Sequence, residues 1–318
     1  MSIAITEDHR ALAETARSFA DKRNLRGAAR ARLESSDDVL PECWAELAEL
    51  GWLGLHLPED VGGSGYGIDE LVVVVEELAR AVAPGPFAPT VIASAVIAAA
   101  GDNDLKSRVL PGLADGSTVG AVALGGSVTV AEGAASGDAG VVLGAALASL
   151  ILVPVGDDVA VVDATGGGVT IDSPPSLDPS RPSARVTLDG APVTVMVGAR
   201  RVLVDLARVI LSADAVGVAR ECTEMGAAYS KERIQFGRPI AMYQAVKHHC
   251  ANMAVATELA TSAVWDAARA SATGGDQLTY AAAAATTLAA PAADLCANLN
   301  TQVHGGIAIT WEHDAHLY

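Results

Sequence analysis

A stretch in the last third of the chain carries residue types suited to binding a phosphorylated ligand. Residues 229–244 read YSKERIQFGRPIAMYQ, and apolar residues recur every three or four positions on both sides of it. This spacing predicts two helices separated by a break at residues 237–239, where glycine and proline occur. Arg233 would then lie at the end of the first helix, and Gln244 about a turn and a half into the second. A guanidinium there can bind a diphosphate with two parallel hydrogen bonds, and a glutamine amide can bind a base or ribose edge.

Two other features must be weighed beside this stretch. Taken alone, the pattern R-x-x-F-G favours an exposed arginine beside a helix corner. Residues 55–70 read LHLPEDVGGSGYGIDE, and their four glycines superficially suggest a phosphate-binding loop. They lack the Lys-Ser/Thr pair of a P-loop, and their order matches neither the dinucleotide fingerprint nor a nucleophile elbow. We therefore interpret this segment as a tight connection between two helices.

The composition limits the possible partners. The 318 residues carry a formal charge of −17, which argues against nucleic acid and against an anionic membrane surface. An anionic ligand would have to be bound by a few local Arg or Lys residues. Because 51% of residues are hydrophobic but only 4% are aromatic, the core must consist of Ala, Val and Leu.

The cysteines and the N-terminal residues indicate a cytoplasmic protein. The four cysteines are scattered without metal-ligand spacing, which predicts reduced structural thiols: Cys43, Cys222, Cys250 and Cys296. The first residues are charged and do not resemble a signal peptide. The apolar run at residues 139–155 is too short to cross a membrane, and Gly144 would divide it into two buried strands.

The order of patterns predicts an α+β protein in three blocks. Helical spacing fills residues 1–117, with Thr6 as an N-cap, helices at 41–50 and 91–100, and a short helix at 105–113 that Pro111 terminates. Short Val-rich runs separated by turn residues, among them 185–188 and 193–197, fill 118–201 and predict an antiparallel β domain. Helical spacing returns over 202–318. We expect an N-terminal helical domain, a middle β domain and a C-terminal helical bundle.

Three motifs together resemble the acyl-CoA dehydrogenase family. The stretch from Arg233 to Gln244 fits R-x-x-F-G-x-x-I-x-x-x-Q, the flavin motif of that family. Residues 58–65 fit P-E-x-x-G-G-x-G. Residues 302–306 fit Q-x-x-G-G, with Ala308 in place of the last glycine of the family segment. The motifs span nearly the whole chain.

The resemblance implies a fold, a cofactor and a set of site residues. The family combines the three domains described above and uses FAD to introduce a 2,3-trans double bond into an acyl-CoA thioester. In the family, the matching residues reach across a dimer interface to the pyrophosphate and adenosine of an FAD held mainly by the neighbouring subunit. The residues of this chain that would take that role are Arg233, Phe236, Gln244, Gln302, Gly305 and Gly306.

The chain also departs from the family pattern at the catalytic base. One lineage has a glutamate near the start of the first bundle helix, in a Glu-Arg pair. The matching register here holds Ala207 and Arg208. The other lineage has its glutamate well after the Gly-Gly segment, beyond Tyr318. Glu312 is a further candidate, which we interpret instead as a helix-start or surface acid. We therefore assign no catalytic residue.

A second departure concerns the flavin bed of the β domain. Where the family has a T-x-P-x-A-G-S-D loop, residues 122–133 read VALGGSVTVAEG. Where it has W-I-[ST]-x-N, residues 142–150 read VLGAALASL. Aliphatic residues replace a hydrogen-bonding platform, so the flavin site that this chain would form for itself is expected to be empty.

These observations fit the half of a heteromeric or fused acyl-CoA dehydrogenase that donates FAD-binding residues to an unlike catalytic partner. The resemblance is to the steroid side-chain degradation type, with a sterol acyl-CoA as one substrate class and an electron-transfer flavoprotein as the expected acceptor. Two alternatives stay open. The first is a self-sufficient homo-oligomeric enzyme with its base beyond Tyr318 or at Glu312. The second is a flavin-free structural subunit.

Overall fold

The computed structural model describes residues 5–35 and 38–318. Along the chain, a block of helices is followed by a block of strands and then by a second block of helices, as expected from the sequence. The helices are α1 (Glu7–Lys22), α2 (Leu25–Arg32), α3 (Trp44–Glu49), α4 (Ile68–Arg80), α5 (Phe87–Ala100), α6 (Asn103–Ala114), α7 (Arg200–Glu232), α8 (Gln244–Ala270) and α9 (Gly275–His304). The α+β fold predicted from the sequence is confirmed.

Seven strands form one sheet, and two residue pairs form a small hairpin. The strands are β1 (Gly120–Ala123), β2 (Ser127–Ala131), β3 (Ala134–Leu143), β4 (Leu150–Val155), β5 (Asp158–Asp163), β6 (Val169–Asp172), β7 (Ser183–Met196), β8 (Ile234–Gln235) and β9 (Arg238–Pro239). The strand order of the large sheet is β2-β3-β1-β4-β5-β7-β6, and an additional β3–β7 pairing closes a ring of five strands. Most pairings are antiparallel, but β1 pairs with β4 in parallel.

Small residues fill the interior of this closed sheet. Alanines and valines dominate its buried cluster, where Ala121, Ala135 and Ala160 are fully buried beside Ile151 and Val186. Aliphatic side chains without polar atoms can fill a narrow barrel at native density without needing hydrogen-bond partners. The core composition predicted from the low aromatic content is therefore observed.

By its contacts, the chain divides into two compact units that draw on separate stretches of sequence. One contains residues 1–26, 72–83 and 208–318, and the other contains residues 27–71 and 84–207. The second unit holds the large sheet with α3, α5 and α6. The first holds α1, most of α4 and the long helices α7, α8 and α9. The sequential domain boundaries near 117 and 201 stay a prediction.

The glycine-rich connection before α4 is structural, as predicted. Its backbone folds back on itself, since Gly63 N–H donates to Pro58 O at 2.9 Å and Gly65 N–H donates to Leu57 O at 2.9 Å. A Cβ atom at Gly63 would lie 2.0 Å from Leu57 O, so a side chain cannot be accommodated there. This glycine is needed for a close backbone approach and not for a ligand.

Two expectations need correction, and a third is confirmed. Pro111 does not terminate the short helix: α6 begins at Asn103, capped by Asp102, and continues through Pro111 to Ala114. A proline in the last turn removes only one late hydrogen bond, so the helix can pass it. The two Val-rich runs at 185–188 and 193–197 belong largely to one long strand, β7. Gly144, with φ of +77°, does separate the two strands β3 and β4. Among the described residues, no helix is long and apolar enough to cross a membrane.

A half-buried histidine in the second unit is held in its neutral form. His56 Nε2 lies 3.0 Å from Ser94 Oγ, whose own hydroxyl donates to Val91 O at 3.1 Å. The imidazole therefore donates through Nε2–H, and its Nδ1 atom is buried without a hydrogen-bond partner among the described residues. Burial lowers the pKa of His56 to about 4.

This histidine should make the protein sensitive to acid. A histidine whose folded pKa is depressed stabilises the fold above its unfolded pKa of about 6.5, and the stabilisation is lost as the pH falls toward 4. We expect His56→Gln, which keeps a donor but cannot be protonated, to reduce the loss of unfolding free energy between pH 7 and pH 4.5 by roughly 2 kcal/mol. Denaturant unfolding at both pH values measures this. His248→Gln, at an exposed histidine, is the control; equal pH dependence in the His56 variant and the parent protein would contradict the assignment.

Candidate functional site

The corner predicted after α7 is a two-residue β-hairpin. Strands β8 and β9 pair Ile234 with Pro239 and Gln235 with Arg238. The two residues between them, Phe236 and Gly237, have φ of 53° and 77°. Positive φ at both central positions is typical of a type I′ turn, which joins antiparallel strands tightly. The α7–α8 connection is therefore a rigid hairpin.

Phe236 occupies its position at an energetic cost. A type I′ turn favours Asn or Gly at its first central position, because an ordinary side chain in the left-handed region costs roughly 1–2 kcal/mol. Phe236 is also 94% exposed, so little burial of its ring compensates for that cost within the chain. A strained and exposed aromatic residue at the tip of a hairpin is a candidate for contact with another molecule.

The Tyr243 side chain contacts both strands of the hairpin and its turn. Its hydroxyl donates to Gln235 O at 3.1 Å, and Arg238 stacks over its ring at 4.4 Å. The Phe236 and Tyr243 rings meet edge to face, with centroids 6.4 Å apart. Ile240 N–H donates to Arg233 O at 2.9 Å and so joins the two ends of the hairpin. The sequence analysis did not assign Tyr243, although its place directly before Gln244 in the motif could have indicated it.

Arg233 lies at the predicted helix end and is available to a ligand. It directly follows α7, it is exposed, and its guanidinium forms no hydrogen bond or ion pair with any residue that the structure describes. Other arginines of the same unit are paired: Arg80 binds Glu221 at 3.0 Å, and Arg220 binds Glu76 at 2.6 Å. Because an unpaired guanidinium has no carboxylate to displace, it can bind an incoming phosphate with both of its edges.

Gln244 does not lie where the spacing predicted. It is the first residue of α8, directly after Tyr243, because a 3-10 turn at Ile240–Met242 uses the residues assigned to the start of the helix. Met242 is correspondingly 55% exposed and does not belong to the buried face. The Gln244 side chain is exposed, so its amide is open to a ligand at the helix N-terminus.

The second motif lies at the end of α9, which is held against the end of α7. The Tyr229 and His304 rings stack with centroids 4.3 Å apart, and His304 Nδ1 lies 2.9 Å from Asn300 O. Gln302 and the Gly305–Gly306 pair are exposed beside this contact. The structure thus brings the two motifs to one end of the same unit. Tyr229 and His304 were not assigned from the sequence, although Tyr229 lies four residues before Arg233 and His304 lies within the Gln302–Gly306 motif.

The Gly305 backbone needs its glycine. Its φ of 66° and ψ of −141° are accessible mainly to glycine, and a Cβ atom there would meet open space and no other part of the chain. The need for glycine is conformational, and the space above the backbone is open for a close approach by a ligand.

The two candidate base positions differ in exposure. Ala207 is 2% exposed on α7 and has no group that can take a proton. Glu312 is exposed and precedes the 3-10 turn at Asp314–Leu317. Glu312 is thus a surface acid in this structure, as interpreted from the sequence.

Two hydroxyls of the segments expected to replace the flavin bed form internal hydrogen bonds. Within residues 142–150 the hydroxyl of Ser149 accepts the Val119 N–H at 2.9 Å. In residues 122–133, Thr129 Oγ1 donates to Ser136 O at 3.4 Å. Around these, Ala123, Val142 and similar residues are buried in the barrel. The buried part of both segments is therefore aliphatic, as the sequence predicted.

The architecture and both motifs can now be compared with known proteins. Residues 6–117 match the model of the acyl-CoA dehydrogenase N-terminal domain, and residues 199–318 match that of the acyl-CoA dehydrogenase C-terminal domain. The chain belongs to the acyl-CoA dehydrogenase family. The family consists of oxidoreductases that act on acyl-CoA, so the resemblance inferred from the three motifs is confirmed.

One relative and two solved structures indicate which members are similar. The acyl-CoA dehydrogenase FadE34 of Mycobacterium tuberculosis is 43% identical over 288 residues, which are 90% of this chain but 40% of FadE34. The Tcur3481-Tcur3483 steroid ACAD G363A variant has a TM-score of 0.90 at 30% identity, covering 98% of this chain and 91% of that one. The ChsE4-ChsE5 complex from Mycobacterium tuberculosis has a TM-score of 0.92 at 25% identity, covering 100% and 92%.

The residues at the bundle end fit a dinucleotide cofactor such as FAD. An unpaired guanidinium suits a diphosphate, an exposed amide at a helix N-terminus suits a base or ribose edge, and Phe236 offers an open ring. This set binds and orients; it includes no group that could perform redox chemistry.

The strain at Phe236 allows folding and function to be separated by one substitution. We expect Phe236→Asn to stabilise this protein by roughly 1 kcal/mol, because asparagine is favoured in the left-handed region of a type I′ turn. Thermal or denaturant unfolding of the parent and the variant measures this. Tyr280→Asn, at another exposed aromatic residue outside any turn, is the control. A destabilised Phe236→Asn protein would show that the ring contributes to folding.

Proposed function

We propose that this chain is the half of an FAD-dependent acyl-CoA dehydrogenase that donates FAD-binding residues to the active site of an unlike partner. The partner, a separate subunit or a fused half, supplies the flavin bed and the catalytic base. The reaction of the assembly is the α,β-desaturation of an acyl-CoA thioester. Electrons pass from the flavin to an electron-transfer flavoprotein.

The observation that carries the proposal is the unpaired Arg233 beside the strained, exposed Phe236. Both side chains project from a rigid hairpin. The exposed Arg233 guanidinium has no ion pair within the described chain, and Phe236 is 94% exposed although its ring meets Tyr243 edge to face. A scaffold without flavin would gain nothing from a strained, exposed aromatic residue beside such an arginine. A flavin bound mainly by another subunit would use both.

The residues of this chain have separate tasks in that assembly. Arg233 binds the diphosphate, Gln244 and Gln302 bind the adenosine part, and Gly305 with Gly306 lets the backbone approach it closely. Phe236 covers an apolar face and excludes water. The bound FAD supplies the capacity to accept a hydride from the substrate. No proton transfer is assigned to this chain, because Ala207 cannot accept one and Glu312 lies on the surface.

The similar proteins support an unlike partner and a bulky acyl group. FadE34 is much longer than this chain, and the ChsE4-ChsE5 structure is described as a complex of two differently named proteins. Tcur3481-Tcur3483 is described as a steroid ACAD. A sterol side-chain CoA ester is therefore the substrate class that we favour. If one flavin site of each pair is lost, the space becomes available to a large ring system.

A self-sufficient homo-oligomer is the alternative that one feature of the relatives favours. The match covers only 40% of FadE34, so that relative has many further residues among which a catalytic base can lie. In that case the protein would bind flavin without an unlike partner, and acyl-CoA would bleach the flavin.

Arg233 gives the most direct test. We expect Arg233→Gln to lower the flavin content of the assembled complex at least tenfold, because a diphosphate contact to a charged group is worth about 1.5–3 kcal/mol and its loss leaves phosphate charge unpaired. Folding should be unchanged, since the side chain is exposed and unpaired. The visible absorbance of bound flavin per mole of complex measures the effect. Lys22→Gln removes the same charge at another exposed position of the same unit and is the matched control.

The parent proteins complete the test. The chain alone should be colourless, and the assembly with its partner or downstream half should hold about one FAD per unlike pair. A yellow chain that acyl-CoA bleaches would favour the self-sufficient enzyme. Unchanged flavin in the Arg233→Gln complex would favour the flavin-free scaffold.

A further inference from the structure

The segment that carries Gly305 and Gly306 has only short 3-10 turns as regular structure. It begins with a 3-10 turn at Gly305–Ile309, in which Ala308 is buried, and leads to the turn at Asp314–Leu317. Between the turns the backbone is held by short-range bonds such as Thr310 N–H to Ile307 O at 3.1 Å and His313 N–H to Thr310 O at 3.3 Å. Most of its side chains are exposed, including Ile309 at 82%. With few buried contacts along its length, the segment depends for its position largely on the contacts at its two ends.

The end of the segment that adjoins α9 is held by contacts between aromatic rings. His304 stacks on Tyr229 and also faces His313, with ring centroids 4.5 Å apart. His313 Nδ1 accepts the Ala315 N–H at 3.0 Å, which fixes the start of the final turn. These contacts locate the segment relative to α7 and α9.

The far end is held by Tyr318. Its hydroxyl donates to the backbone oxygen of Arg80 at 2.5 Å, and the Arg26 guanidinium lies over its ring at 5.5 Å. Burial raises the pKa of the Tyr318 hydroxyl, so it stays a proton donor at physiological pH. Arg26 also reaches Asp314, four residues earlier, at 3.8 Å.

The groups that receive Tyr318 are themselves fixed by buried charges. Glu221 on α7 accepts from Arg26 at 2.7 Å through one carboxylate oxygen and from Arg80 at 3.0 Å through the other. Arg26 further donates to Arg80 O at 3.2 Å, beside the Tyr318 hydroxyl. The site is thus rigid before the tyrosine reaches it, because breaking any of these partly buried pairs leaves a charge uncompensated.

We propose that Tyr318 and Arg26 are positioning residues that hold the Gly305–Gly306 backbone in the place where it meets the flavin nucleotide. Neither residue touches the cofactor; both act through the segment that ends in Tyr318. The inference rests on the proposed function, since it concerns the same flavin-binding backbone. It assigns a role to residues outside the motifs.

Tyr318→Phe tests this with the loss of one oxygen atom. Arg80 O keeps its bond from Arg26, so the variant removes a single hydrogen bond and leaves no orphaned acceptor. We expect amide hydrogen exchange in residues 305–317 to become about three- to tenfold faster, the range for one buried hydrogen bond, with exchange in α8 unchanged. The flavin dissociation constant of the assembled complex should rise by a similar factor. Tyr280→Phe, at a tyrosine that is 75% exposed on α9, is the matched control.

A second variant tests Arg26. Arg26→Lys keeps the charge facing Glu221 and Asp314 but loses the planar, two-pronged guanidinium. Its amide exchange rate in residues 305–317 and its flavin dissociation constant should therefore lie between those of the parent protein and those of Arg26→Gln. Faster exchange throughout the unit in these variants would indicate a merely structural role and would overturn the inference.

The two proposals fail in distinguishable ways. Retained flavin affinity in Tyr318→Phe, alongside its loss in Arg233→Gln, overturns the positioning role and leaves the proposed function intact. Retained flavin in Arg233→Gln overturns the proposed function and the inference with it. Unchanged exchange in residues 305–317 of Tyr318→Phe overturns the inference directly.

Discussion

The end of α4 at Arg80 is the point on which the architecture of the helical unit depends. The Arg80 side chain binds Glu77, Glu221 and Glu224, and its backbone oxygen accepts from Arg26 and Tyr318. One residue thereby joins α4, α7, the beginning of α2 and the C-terminal segment. Buried charges of this kind add little net stability compared with apolar packing, but removing one partner costs about 3–5 kcal/mol. Their effect is to exclude other arrangements of the helices.

Such an arrangement explains how α7 can present a strained hairpin at its far end. Gly217 packs so closely on α4 that a Cβ atom there would lie 2.3 Å from Glu76 O. With its middle fixed by this contact and by the Arg220–Glu76 pair, α7 carries its C-terminal residues at a defined angle. The unfavourable φ of Phe236 can persist because the surrounding structure determines it. The backbone strain is confined to the turn at Phe236, whereas the contacts that fix the position of this turn are spread along α7.

The sequence predicted the fold well because the helices and strands are marked by a regular spacing of apolar residues or by capping and turn residues at their ends. Helical spacing, Val-rich runs and the Thr6 cap are properties of neighbouring residues, and each is borne out. Errors arose where a single proline or glycine was taken as a break. The helix α6 continues past Pro111 because a proline in the last turn removes only one late hydrogen bond. The strand β7 spans Gly190 because β3, β5 and β6 pair with it, which the local sequence does not show.

The candidate site was predictable in its residue types and less so in its geometry. Arg233 lies at a helix end as expected, whereas Gln244 is displaced to the first position of α8 by a 3-10 turn that apolar spacing cannot reveal. The supporting residues Tyr243, Tyr229 and His304 were missed because their roles depend on contacts between distant segments. Arg26 and Tyr318 are separated by almost the whole chain, and no pattern in the sequence connects them.

The exposed hairpin and the aliphatic barrel are compatible, in physical terms, with the proposed function. The barrel needs no polar groups to fold, so its hydrogen-bonding platform can be replaced by alanine and valine at no cost in stability; buried hydroxyls without partners would be unfavourable there. The hairpin, by contrast, bears strain at Phe236, which is unfavourable in the isolated chain, whereas the exposed charge of Arg233 is solvated and costs little there. Asparagine or glycine at position 236 would relieve the strain. The strained ring is accounted for if it gains contacts outside this chain, as the proposed flavin nucleotide of an unlike subunit would provide.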